Sequence, residues 1–315
     1  MLWVLGATVL IVLIAGIALQ AAIARNGPAV LSTVDRIIGG DAGARLQATI
    51  STGKHPSQKL IVWGPAQRDP SDAALPVLLF AHGGSWRSGD PVDYGFLARA
   101  FVSKGFVVVL AGYRLHPDGV YPAMIEDTAR AIAWAHDDIA QYGGDPDRII
   151  IAGHSAGAYN VVMAALEQQW LGRKGLSPDD IAGVVGLSGP YDFYPFDSES
   201  TINAFGKATE PEATQPLAHI RGDAPPLLLI HGEKDDLVAV HNSRGLAKQI
   251  EAAGGAVETR YYPEMTHNDP LISLASPWRN RRDVDEQIAE FALSVSARSD
   301  TGRDQTSVPV QAEKR

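Results

Sequence analysis

The chain has 315 residues, 45% of them hydrophobic and 20% charged, which is the composition of an ordinary folded protein. Its formal net charge of −9, with no dense Lys/Arg block, excludes a phosphate-backbone footprint, because nucleic-acid affinity rests on clustered cations; no nucleic-acid partner is expected. The absence of cysteine excludes disulfides, thiolate metal sites and a cysteine nucleophile.

Leu2–Ala24 carries no charge and is interrupted only by Thr8 and Gln20. At about 1.5 Å per residue such a run crosses a roughly 30 Å hydrocarbon layer as a helix. An N-terminal transmembrane helix over residues 1–25, and a single-pass membrane location, are therefore expected. Ala22-Ile23-Ala24 also offers a small-x-small cleavage site, so export after signal-peptide removal is the alternative. Arg25 and Arg36 follow the span and, by the positive-inside rule, favour a cytoplasmic location for what comes after. Residues 26–44 mix Gly, Pro and polar residues and read as a linker. One domain of roughly 250 residues is left at 45–297, enough for a sizeable core, and the polar stretch 298–315 reads as a disordered tail.

Within the domain, Leu46–Ile50 and Leu60–Trp63 carry weak strand signals. Four stronger apolar runs bounded by turn residues follow at Pro76–Ala81, Phe106–Ala111, Arg148–Ala152 and Pro226–His231; Val184–Leu187 and Thr259–Tyr262 add two more. Continuously apolar strands are what a parallel sheet covered on both faces requires. Helical patterns fill the gaps at Pro91–Ser103, 121–142, Ala156–Leu171, His241–Ala253 and Val284–Ala297. The alternation predicts an α/β fold with a mostly parallel central sheet and helices on both faces. Gly189–Asp223 has four prolines, scattered aromatics and no clear period, and reads either as a cap over a site or as a surface insertion.

Gly153-His154-Ser155-Ala156-Gly157 matches G-x-S-x-G, a strand-to-helix turn that exposes a strained serine at the top of a sheet. A strand before it and a helix after it supply the context that separates such an elbow from a glycine-rich turn with an incidental serine. His82-Gly83-Gly84-Ser85-Trp86 ends the strand Pro76–Ala81. Glycines there free backbone amides to face inward, so Gly83 and Gly84, with Ala156, are the candidate donors to an oxyanion. His231-Gly232-Glu233-Lys234-Asp235-Asp236 ends a later strand; Asp235 is the preferred partner for an imidazole, with Glu233 and Asp236 as solvated turn residues. His267, after the last strand, is the candidate general base. The chain order Ser155, Asp235, His267 is the one this serine-hydrolase arrangement uses. Trp86, Tyr159 and Tyr191 are candidate pocket residues, although core packing explains each equally well. No His/Asp cluster has ligand spacing, so no metal or other cofactor is expected.

With Tyr113-Arg114-Leu115, Gly144-Asp145-Pro146-Asp147-Arg148-Ile149 and Leu187-Ser188-Gly189-Pro190-Tyr191-Asp192, these motifs resemble the esterase/lipase branch of the α/β-hydrolases. The similarity is to hormone-sensitive-lipase-like and feruloyl-esterase-like carboxylesterases, kynurenine formamidase and prenylcysteine methylesterase, and it runs from about Thr52 to Phe291. Two departures lie outside the triad: Leu60-Ile61-Val62-Trp63 replaces a frequent Leu-Asp-Val-Tyr, and Ala239 stands where Pro is common. The resemblance implies a cofactor-free serine carboxylic-ester hydrolase acting on small or medium esters through an acyl-enzyme. An amide hydrolase on the same triad is the first alternative; a catalytically silent, membrane-tethered binding module is the second.

Overall fold

The computed structural model describes residues 2–69 and 71–304, with the side chains of residues 2–15 and 298–304 outside that description. Eight strands form one sheet: β1 (Ala44–Ser51), β2 (Lys59–Pro65), β3 (Leu75–Ala81), β4 (Val107–Ala111), β5 (Gly144–His154), β6 (Gly183–Leu187), β7 (Leu227–Gly232) and β8 (Val257–Tyr262). The order across the sheet is β1-β2-β4-β3-β5-β6-β7-β8. Only the β1–β2 and β2–β4 pairs are antiparallel; every later pairing is parallel.

Strands β4, β6 and β7 are buried at every position, and the apolar side chains of β3–β7 divide alternately between two cores. One core lies under helices α3 (Ala123–Asp138) and α4 (Ala156–Leu166). The other lies under helix α2 (Gly95–Val102) and the helix Val284–Asp304. The period-2 alternation of a strand thus feeds both layers, so the strand sequences read as continuously apolar rather than alternating. This is the α/β-hydrolase architecture.

The N-terminal segment differs from expectation. A helical stretch, α1, spans Leu2–Gly39 and is broken only at Asn26, whose backbone is extended (φ −156°, ψ 79°). Residues 27–39, expected as a linker, are a helix seated on the domain. Its Asp35 carboxylate is buried, receives the Arg99 Nε–H at 2.7 Å and also accepts the Ser276 amide at 2.7 Å. Arg99 reaches further to the Ser32 carbonyl at 2.8 Å. The charged residue that the linker composition hides is thus an anchor into the core. The anticipated span Leu2–Ala24 falls largely on residues whose side chains lie outside the description, and among the described residues no helix is long and apolar enough to cross a membrane. At the other end, the last helix continues to Asp304, seven residues into the expected tail; residues 305–315 lie outside the described residues.

Removing one member of a buried ion pair leaves the other charge unpaired, which costs about 3–5 kcal/mol. Asp35→Ala is therefore expected to lower unfolding stability by that amount and to expose residues 27–39 to limited proteolysis. A loss below about 1 kcal/mol with unchanged cleavage would contradict the docking role.

Candidate active site

The turn from β5 into α4 carries Ser155 in a left-handed conformation (φ 53°, ψ −121°), which for a side-chain-bearing residue costs about 1–3 kcal/mol. Two close approaches enforce it. A Cβ on Gly153 would stand 2.3 Å from the Gly157 carbonyl, and one on Gly157 would stand 2.1 Å from the Ala81 carbonyl and 2.5 Å from that of His82. The Ser155 amide donates to the Leu187 carbonyl at 2.8 Å, so the neighbouring strand pins the turn from the other side.

Strand β7 delivers His231 and Gly232, and the loop that follows turns Asp235 inward while Asp236 stays exposed. The preference for Asp235 over its acidic neighbours follows from this turn: Glu233 instead pairs with Arg244. After β8 the chain returns with His267. Its Nδ1–H donates to Asp235 Oδ2 at 2.8 Å, and its Nε2 lies 2.9 Å from Ser155 Oγ, where it accepts the hydroxyl proton. Three side chains distant along the chain therefore meet at the C-terminal edge of the sheet, and all three are buried.

Asp235 is saturated with donors. Its Oδ1 accepts the amides of Leu237 and Val238 at 3.0 and 2.8 Å, and its Oδ2 faces His231 Nε2 at 3.1 Å as well as His267. Burial opposes the charge, but the hydrogen bonds from His231, His267 and Val238 outweigh it and hold the carboxyl well below the usual carboxylate range. His231 is itself held at both ring nitrogens: Nε2 also lies 2.8 Å from the Val238 carbonyl, and Nδ1 lies 2.8 Å from the Ser243 hydroxyl. Its position at the end of a strand gives no sign of this role. The bond to Asp235 depends on how the loop folds back, which no local sequence signal reports.

The loop after β3 brings Gly83 and Gly84 beside the serine. A Cβ on Gly83 would lie 3.3 Å from the Ser155 Cβ, and Gly84 (φ 119°) would place one 2.0 Å from the Ser88 carbonyl. The amides of Gly84 and Ala156 have no backbone acceptor among the described residues, whereas the Gly83 amide faces the Tyr94 hydroxyl. The next residues, Ser85 and Trp86, also have positive φ, both at 54°. Tyr113 supports this loop by donating from its hydroxyl to the His82 carbonyl at 2.8 Å, its ring stacked on the imidazole at 4.6 Å. That role escaped the sequence, where Tyr113-Arg114-Leu115 is only a motif of resemblance.

Ser155 opens onto two cavities, of about 470 and 450 Å³. Trp86 lines the second, its Nε1–H held by Asn160 Oδ1 at 3.1 Å. Tyr159 and Tyr191, the other pocket candidates, line neither; both are fully buried core residues. The Tyr159 hydroxyl donates to the Thr214 carbonyl at 2.7 Å, and the Tyr191 ring fills the space left by Gly186 and Gly189, where a Cβ would meet its hydroxyl at 2.1 and 2.3 Å. Within the expected cap, Pro190, Asp192, Phe193, Tyr194, Ser198 and Thr201 are among the residues that wall the second cavity.

The class that fold and site define is an α/β-hydrolase carrying a hydrogen-bonded Ser-His-Asp set. The BD-FAE family model matches residues 65–250, and the chain belongs to that family. Esterase LipQ of Mycobacterium tuberculosis (strain ATCC 25618 / H37Rv) is 32% identical over 250 residues, covering 74% of this chain and 58% of its own. The isoprenylcysteine alpha-carbonyl methylesterase ICME of Arabidopsis thaliana is 27% identical, covering 76% of this chain and 60% of its own. The match therefore spans about three fifths of each of these relatives. Among solved structures, a tributyrin-phosphonate-inhibited esterase B from Lactobacillus rhamnosis superimposes with a TM-score of 0.76 at 20% identity, covering 91% of this chain and 97% of that one, which shows the shared fold.

Two further histidines flank the site in buried positions. Burial holds His154 down to about 3, helped by the nearby His267, and holds His82 down to about 4 against the pull of its bond to the Gly83 carbonyl. Both stay neutral in the native protein while the unfolded chain protonates them near pH 6.5. Stability is thus full above that pH and falls as pH drops through the window towards 4 and 3, by up to about 1.4 kcal/mol per pH unit for each group. His154→Gln, which keeps a donor towards the His267 carbonyl, is expected to flatten the stability–pH curve between pH 6 and 4 by about one proton. Urea titrations giving parallel curves for variant and parent would contradict this.

Proposed function

We propose that the chain is a serine carboxylic-ester hydrolase. The observation that carries the reading is the unbroken hydrogen-bonded relay from Ser155 Oγ through His267 to Asp235, at 2.9 and 2.8 Å. The esterases it resembles support the same reading.

Asp235, ionised and saturated with donors, holds the His267 tautomer that leaves Nε2 free to accept a proton. Ser155 Oγ attacks the ester carbonyl carbon as His267 Nε2 takes the hydroxyl proton. The carbonyl oxygen gathers negative charge and accepts from the backbone amides of Gly83, Gly84 and Ala156. Collapse of the tetrahedral species expels the alkoxide, and His267 returns the proton to it, giving free alcohol and an acyl-serine. Water then attacks the acyl carbon with its proton passing to His267, and the second collapse restores the Ser155 hydroxyl and releases the acid. No other reactant enters the balance.

The three residues act as a unit. Ser155→Ala, His267→Ala and the double variant are therefore each expected to lose at least about a thousandfold in kcat on a p-nitrophenyl ester, with the double loss close to either single one. A Ser155→Ala protein hydrolysing as fast as the parent would end the assignment. Multiplicative losses in the double variant would show independent roles instead.

A further inference from the structure

The two cavities that meet at Ser155 have different walls. The first, of about 470 Å³, is lined by His267, Gly83, Gly84, Asn268 and Tyr94, and the second, of about 450 Å³, by Trp86, Ala156, Phe193 and Tyr194. His267 lines only the first. The outer wall of that first cavity is the break in the N-terminal helical stretch, residues 24–28.

That break is a built joint. The Asn26 backbone is extended, its Oδ1 accepts the Ala29 amide at 3.2 Å as an N-cap, and Pro28 follows at the start of the new helix. The Asn26 Nδ2–H donates to Asp93 Oδ2 at 2.7 Å, which ties the joint to the loop running from Asp90 into α2. Beyond it, residues 27–39 are held by the buried Asp35–Arg99 pair. The wall is tied to the domain at the joint and on its C-terminal side.

On the reading of Ser155 and His267 given above, the alkoxide must leave beside His267 Nε2, because that atom supplies its proton. We infer that the first cavity receives the alcohol half of the ester and that residues 24–28 determine which alcohols fit. The acyl half occupies the second cavity, against Trp86 and Phe193. The N-terminal segment is then a specificity-determining part of the site. The fitting substrates are esters whose alcohol is larger than methanol.

Gly27 gives a direct test, since it lines the first cavity and a Cβ built there meets no heavy atom within 4 Å. In the full-length protein, Gly27→Trp is expected to lower kcat/KM for hexyl and benzyl butyrate at least tenfold relative to methyl butyrate. The ranking of methyl esters from acetate to octanoate should stay within about twofold of the parent. Asn26→Asp sets a second carboxylate against Asp93 and loosens the joint, so it should change the benzyl-to-methyl ratio in the opposite direction. An unchanged alcohol profile in both variants, or an acyl profile that moves as far as the alcohol profile, overturns the inference. Titration of each protein with a small fluorophosphonate separates the two levels of the argument. Failure of the parent to label removes the reading of Ser155, whereas full labelling with an unaltered alcohol profile removes only the role of residues 24–28.

Discussion

The site depends on the close approach of α4 to the loop that ends β3. Gly157 lies so near the Ala81 and His82 carbonyls that no side chain fits between them, and Gly153 is equally tight against Gly157. This contact drives the backbone of Ser155 into a conformation that costs about 1–3 kcal/mol, and the strain persists because packing on all sides over-determines it. Helix α4, buried at every residue, supplies that packing. The same approach sets Gly83 against Ser155.

Around this strained turn the charges are arranged so that one group is ionised and several are not. Asp235 is kept charged by four donors, while His82 and His154 are buried and used as neutral hydrogen-bonding spacers. The division follows from desolvation: a buried carboxylate is tolerable only with its lone pairs filled, and a buried imidazole resists protonation unless an anion faces it. His267 is the imidazole placed between the anion and the serine. His154 donates from Nε2 to the His267 backbone carbonyl at 3.1 Å, so the variable position of the G-x-S-x-G motif helps hold the loop that bears His267.

Much of this was legible in the residues because the signals are local. The apolar runs at Pro76–Ala81, Phe106–Ala111 and Pro226–His231 became β3, β4 and β7 with ends shifted by a residue or so, since strands buried on both faces need only be continuously apolar. The glycines at 83, 84, 153 and 157 mark places where the backbone itself must approach something. What was hidden depends on contacts between distant segments. Residues 26–44 look like a linker by composition, yet one buried Asp35 opposite Arg99 is enough to seat 27–39 as a helix. Tyr159 and Tyr191 fit a pocket by type, but burial and the demands of Thr214, Gly186 and Gly189 place them in the core, and no sequence period separates those two uses of a tyrosine. The donor from His231 to Asp235 likewise requires the β7 loop to curl back over four residues.

The central claim is that residue 155 carries a nucleophilic oxygen made reactive by residue 267. Peptide mapping by mass spectrometry after reaction with an alkyl p-nitrophenyl phosphonate tests this most directly, since the electrophile is captured by an activated hydroxyl and retained. The account predicts one phosphonyl adduct, on the peptide containing Ser155, with labelling slowed by orders of magnitude in His267→Ala. An adduct on a different residue, or labelling of Ser155 that proceeds equally fast without the imidazole, would contradict it.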